Sequence, residues 1–202
     1  QMTSAQIAAF TGSQVPALTT AQIAAIETAD LVTMTTAQIA ALASSQMASF
    51  TTDQIASLNS AQIQALEIPD LRQLTSAQII ALTTSQIPNL TTDQVAALTT
   101  DQIKVIETAD IQRLTTAQVA SLTNTQVPAL TSAQILALQS DQIAAMGAVN
   151  ITKLTGDRMT LLSASQVAAL TTAQIQGLTN AEITKMVTAQ VEALTTAQMP
   201  AF

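Results

Sequence analysis

From Thr3 to Phe202 the chain divides into 25 consecutive octapeptides with no insertion and no deletion. A strict repeat of this kind obliges each unit to meet its neighbours in the same way, and so decides the architecture before any single residue does. The unit reads Thr-Thr-Ala-Gln-Ile-Ala-Ala-Leu, as in Thr19-Thr20-Ala21-Gln22-Ile23-Ala24-Ala25-Ile26. Position 5 is Ile, Val, Leu or Met in all 25 octads, from Ile7 through Met199. Position 8 is Leu, Ile, Met or Phe in all 25, from Phe10 through Phe202. Gln holds position 4 in 19 of them. A longer period lies on top. Glu27-Thr28-Ala29-Asp30, Glu67-Ile68-Pro69-Asp70 and Glu107-Thr108-Ala109-Asp110 are 40 residues apart, and Gly147-Ala148-Val149-Asn150 and Val187-Thr188-Ala189-Gln190 continue the series more weakly.

Two of the three structures that could carry an octad fail on geometry. An unbroken α-helix turns about 100° per residue, so its apolar pairs would drift about 80° per octad and spiral round the whole cylinder. Pro16, Pro88, Pro128 and Pro200 would also break its hydrogen-bond ladder. In a β-solenoid, positions 5 and 8 would point to opposite faces of one strand, and Ala and Gln are poor strand formers. One very short helix per octad, followed by a corner, remains.

That arrangement accounts for most columns. Thr at position 1 and Gln at position 4 spell a capping box, in which each side chain satisfies a backbone N–H at a helix start. The large residues at position 8 before the box and position 5 after it sit where a hydrophobic staple needs them. Ser and Thr are also common at position 2, which leaves open a cap one residue later. Asp53, Asp93, Asp101 and Asp141 at position 3 suit the positive end of a helix, and Pro69 suits a first turn. Proline at position 6 falls late, so those units are expected to be 3₁₀-like or to end early. Met34, Met47, Met146, Met159, Met186 and Met199, with Phe10, Phe50 and Phe202, fall on positions 5 and 8 and read as core.

Helices this short do not stand alone, since nucleation costs more than so few hydrogen bonds return. Burying two large side chains contributes roughly 3–6 kcal/mol per octad before entropy is subtracted, so stability must come from stacking. The expectation is an all-α solenoid of about 25 very short helices, one per octapeptide, with five octads (40 residues) in each coil. Residues 1–202 form a single repeat domain without a linker, read as a segment of a longer array or a filament subunit.

Composition removes much chemistry. Without Cys or His there is no disulfide framework, thiolate nucleophile or Ser-His-Asp triad, and zinc, copper and non-haem iron lose their usual ligands. Six Lys+Arg against 13 Asp+Glu give a net charge of −7, unsuited to nucleic acid. Mean hydropathy is +0.36, yet Thr, Ser or Gln interrupts every apolar stretch well short of the roughly 18 residues of a membrane span. No cofactor is expected.

Charge clusters in one place, the octads of the 40-residue series. Glu27, Glu67 and Glu107 align, as do Asp30, Asp70 and Asp110, with Arg72, Arg113 and Lys153 at positions 6 or 7. If coils held 40 residues, Glu67 and Asp70 would face Arg113, and Glu107 and Asp110 would face Lys153, as inter-coil ion pairs worth at most about 1 kcal/mol each. A calcium site would use carboxylates on a bend, but the glycine-rich Asp loop is missing. Acid–base catalysis would need the carboxylates to meet in one cleft, whereas these recur down a column. The Thr arrays are needed as caps before they could order water.

The tandem Leu-Thr-Thr-Ala-Gln-Ile phrasing (Leu18 to Ile23, Leu114 to Val119, Leu170 to Ile175) resembles the long octapeptide arrays of large proteobacterial surface or secreted proteins, labelled adhesins or haem-utilisation proteins. Haem itself draws no support, given the lack of His. The shorter phrase Leu-Thr-x-x-Gln is similar to helix starts of periplasmic Spy-type chaperones, one cap at a time. The resemblance and the uniform octads imply an extracellular or cell-surface structural protein, a fibre, stalk or adhesin shaft, and no enzyme. The alternative is a solenoid binding module presenting one face to a protein or glycan. Apolar terminal octads add an expectation of end-to-end self-association, besides a possible cell-surface or matrix partner. Since folding needs no divalent metal on this reading, helical circular dichroism should survive a strong chelator; a signal that collapses and is restored by calcium would contradict it.

Overall fold

The structure, a computed structural model, describes residues 3–154 and 156–201. Each octad contributes one helical element: 20 are α-helical and five are 3₁₀, with no strand among the described residues. The octad Thr91–Leu98 shows how the sequence does this. Thr91 is extended (φ −72°, ψ 160°), its Oγ accepts from the Gln94 N–H at 3.1 Å, and the Gln94 Oε1 accepts from the Thr91 N–H at 2.8 Å. The helix Thr92–Ala97 follows, and Leu98 (φ −55°, ψ 138°) turns the chain out of it. Its N–H donates to the Val95 carbonyl at 3.3 Å, closing the last turn in 3₁₀ fashion. Position 1, not position 2, is the cap. Where position 1 lacks a hydroxyl, at Ala43 and Val187, the Gln half of the box still operates, accepting from those N–H groups at 2.7 and 3.0 Å.

Proline behaves as its chemistry requires. Pro16, Pro88, Pro128 and Pro200 all lie in 3₁₀ turns, Val15–Ala17, Ile87–Asn89, Val127–Ala129 and Met199–Ala201. Having no N–H, a proline at position 6 leaves the turn to be closed by its successors, as Ala17 and Leu18 do by donating to Gln14 and Val15 at 3.1 Å. Pro69 sits in the first turn of Ile68–Leu71.

The chain forms two compact units, Gln1–Val105 and Ile106–Phe202. In the first, helix Thr28–Leu31 packs on Thr52–Ser57, Thr36–Ala40 on Ser60–Ala65 and Ser44–Met47 on Ile68–Leu71, each three octads on. In the second, Ser132–Ala137 packs on Gly156–Leu161 and Ser140–Ala145 on Ala164–Ala168, again three octads on. Side-chain amides reach one octad farther. The Gln54 Nε2 donates to the carbonyls of Ile23 and Ile26 at 2.9 and 2.7 Å, 31 and 28 residues earlier. A coil therefore holds between three and four octads. The expected solenoid of short helices is present, but the expected five octads per coil is corrected. The 40-residue period marks where Asp replaces Gln; it is not the length of a turn.

The core lies where positions 5 and 8 of successive coils meet. Ile63 is 0% exposed and Leu66 3%, and both positions stay buried from Ile23 through Leu178. Phe50, Met34, Met47, Met146 and Met159 belong to it as expected. Phe10 and Leu18 are half-buried in the first coil, as are Ile183, Met186 and Leu194 in the last. Met199 departs from expectation at 55% exposed. Phe202 lies outside the described residues. Among the described residues, no helix is long and apolar enough to cross a membrane.

Gln54→Leu removes one cap acceptor, takes the amide donor from the Ile26 carbonyl and leaves the Ile23 carbonyl only its bond from the Ile26 N–H at 3.1 Å, and should cost roughly 2–4 kcal/mol. Gln22→Leu, at an exposed side chain where only the cap is lost, should cost about 1 kcal/mol. Chemical denaturation of the two variants should separate them clearly; equal midpoints would contradict the inter-coil role.

Candidate functional site

The most organised polar feature is a ladder of position-4 amides. Its residues are placed by the octad itself: the capping box fixes Oε1 on the position-1 N–H, which aims Nε2 back at the preceding coil. There each Nε2 meets two carbonyls: the one at position 5, which also accepts from the position-8 N–H of its own octad, and the one at position 8, where the chain has left the helix. Gln62 donates to Leu31 and Met34 at 3.0 and 2.9 Å, and Gln94 to Ile63 and Leu66 at 2.9 and 2.8 Å. In the second unit Gln142 donates to Ile111 and Leu114, Gln166 to Ile135 and Leu138, and Gln190 to Met159 and Leu162, at 2.6–3.0 Å. These carboxamides are buried; Gln62 is 1% exposed.

Six octads place another residue at position 4, and each is informative. Asn150, one methylene shorter, reaches the Leu122 carbonyl at 2.6 Å. Arg158 donates to Pro128 at 2.5 Å, taking over the donor role. Glu182 keeps the capping half only, accepting from the Thr179 N–H at 2.7 Å. Asp30, Asp70 and Asp110 occupy the same place, buried in the first turns of Thr28–Leu31, Ile68–Leu71 and Thr108–Ile111. A carboxylate there has no N–H to donate, so the ladder is interrupted.

The expected ion-pair column is corrected at its buried members. Ser4 Oγ donates to Asp30, and Ser44 Oγ donates to the Asp70 Oδ1 at 2.7 Å, each from 26 residues earlier. The Asp70 Oδ2 and Asp110 Oδ1 are buried without a hydrogen-bond partner, so no cation holds those oxygens. Burial pushes the Asp70 carboxyl up, the Ser44 bond offsets part of this and Glu67 adds to it. Burial, with Glu107 second, pushes Asp110 up to about 6. An ion pair would have moved both the other way. Glu27, Glu67, Glu107, Arg72, Arg113 and Lys153 occupy exposed positions. The physical reason is the coil length: residues 40 apart do not share a column when a coil holds fewer than four octads. An ion pair among the described residues joins Lys104 to Asp101 at 2.9 Å, within one helix.

Sequence reasoning missed Ser4, Ser44 and Arg158. A signal was available, since Ser4–Asp30 and Ser44–Asp70 share one 26-residue spacing and recur 40 residues apart. Reading it requires the coil length first. Among the described residues, no three carboxylates group so as to hold a metal ion.

A family model described as the ALTTAQ repeat matches three tandem stretches, residues 23–60, 63–100 and 103–140, which together exceed half of the chain. No curated protein matches it.

Folding raises the proton affinity of Asp110, so the stability attached to this group is whole below about pH 4 and is lost as pH rises through about 6. Asp110→Asn should therefore stabilise the fold at pH 7.5 by roughly 1–3 kcal/mol, with the gain shrinking towards nothing at pH 4. Thermal melts of variant and parent across that range check it; a gain independent of pH would show that the carboxyl is not neutralised on folding.

Proposed function

This chain belongs to the ALTTAQ repeat family, and we propose that it serves as a structural repeat protein at the cell surface or outside it, as a fibre, stalk or adhesin shaft, and not as an enzyme. The observation that supports this reading is where the recurrent polar side chains go. Thr caps its own helix and Gln binds its own cap and the preceding coil at once, so the repeated polar groups are committed to holding the coils together. A protein whose recurrent polar chemistry is spent on coil-to-coil contact is suited to span distance and carry load. The resemblance to long surface-protein arrays points the same way.

A second reading, a solenoid binding module, draws on one local feature. A hollow of about 490 Å³ in the second unit is lined by Thr152, Lys153, Gly177, Thr179, Glu182 and Lys185 among others, beside the irregular octads that begin at Gly147.

Antibodies raised against the chain, applied to intact cells of its source, test the surface role. Labelling of unbroken cells, removed by external protease, is the expected result. Protection from both reagents until the cells are lysed would overturn it.

A further inference from the structure

Three departures from the octad meet at the hollow in the second unit. Position 4 is Glu in one octad alone, at Glu182; position 7 is Gly in one alone, at Gly177, and Lys in two, at Lys153 and Lys185. All four residues line the hollow, together with Thr152 and Thr179. The rungs on either side of Glu182 are complete. Gln174 donates to the Ile143 carbonyl at 2.9 Å and to that of Met146, and Gln190 to Met159 and Leu162 at 2.8 and 2.7 Å. The same register, 31 and 28 residues back, leads from Glu182 to the carbonyls of Ile151 and Leu154. The Ile151 carbonyl has its bond from the Leu154 N–H at 2.9 Å, but neither receives a side-chain amide. Glu182 is 5% exposed, and its Oε2 accepts from the Thr179 N–H and Oγ at 2.7 and 3.0 Å. Its other oxygen, Oε1, receives no donor among the described residues and stands in the place of an amide nitrogen. This rung is therefore made of acceptors, and what it lacks is a donor carrying positive charge.

The rest of the hollow has the opposite character. Gly177 lets its octad close on Thr152, whose Cγ2 a Cβ on Gly177 would meet at 3.2 Å, so the wall there is bare backbone. Lys153 and Lys185 bring two ammonium groups to the same space. In residues 147–202 Lys153, Arg158 and Lys185 balance Asp157, Glu182 and Glu192, so the whole net charge of −7 lies in residues 1–146. This stretch, unlike the rest of the chain, does not repel an anionic group.

We propose that the hollow binds a small zwitterion carrying a primary ammonium and a carboxylate. The ammonium takes the seat that a Gln Nε2 fills on other rungs, donating to the Glu182 Oε1 and the Leu154 carbonyl. The carboxylate lies against Lys153, with Lys185 adding to the field. A bare amine would meet the two lysines and a bare acid would meet Glu182, so neither half fits alone. A volume of about 490 Å³ suits a ligand of amino-acid to short-peptide size. The proposal rests on the binding-module reading and deepens it by naming the ligand class.

NMR titration of the full chain, read at the Gly177 and Thr152 backbone amides, tests it with glycine, β-alanine, γ-aminobutyrate and ε-aminocaproate, a series that lengthens the distance between the charges. At least one should bind saturably, and about tenfold or more tighter than methylammonium or acetate. Glu182→Gln supplies the missing donors from the chain itself. It should melt no lower than the parent and lose about tenfold or more in affinity for that zwitterion. Lys153→Gln should weaken the zwitterion and leave methylammonium unaffected. No saturable shift with any of the four, a Glu182→Gln variant that binds as well as the parent, or methylammonium held as tightly as the best zwitterion would overturn the proposal. Equal retention of parent and Glu182→Gln on a glycan array, with no zwitterion bound, would overturn it too while leaving the binding-module reading in place.

Discussion

Everything in this fold depends on one side chain doing two things at once. The carboxamide of a position-4 Gln has an acceptor and donors pointing in different directions. The octad uses the acceptor to start its own helix and the donors to finish a helix in the coil before. Gln94 does both, with Oε1 on the Thr91 N–H and Nε2 on the carbonyls of Ile63 and Leu66. Short helices carry the highest proportion of unpaired backbone groups, because both ends are always near. A single amide that settles one N–H and two carbonyls makes such helices tolerable in a buried interior. Glu could supply the cap but not the donors, and Asn reaches a single carbonyl at position 150.

The apolar columns and the amide ladder are separate layers of the same design. Positions 5 and 8 supply the burial that offsets chain entropy, and they are interchangeable among Ile, Val, Leu and Met without upsetting the register. The ladder sets that register, since each donor must find the end of one particular helix. Asp70 and Asp110 show the cost of leaving it: a buried carboxyl oxygen without a partner, and a proton affinity raised by burial.

The octad's own structure was legible from its letters. Thr-x-x-Gln announces the capping box, proline at position 6 announces a 3₁₀ turn, and the two apolar positions announce the core; each depends only on neighbours in sequence. The number of octads per coil was not legible, because it depends on how far a Gln side chain reaches across space. The visible 40-residue period then invited a wrong column, in which Glu67 and Asp70 faced Arg113. What distinguishes the two is the second role of Gln, and nothing local in the sequence states it. The carboxylates of this series were read as surface ion pairs, with a partner that the coil length does not bring to the buried Asp70 and Asp110.

Amide proton exchange of the Gln side chains, followed by NMR, measures that second role directly. The Nε2 protons of Gln62, Gln94 and Gln174 should exchange far more slowly than those of Gln6, Gln14 and Gln22, and should show scalar coupling to backbone carbonyl carbons 28 and 31 residues earlier. Equal exchange across both groups, with no such coupling, would mean that the coils are held by their apolar columns alone.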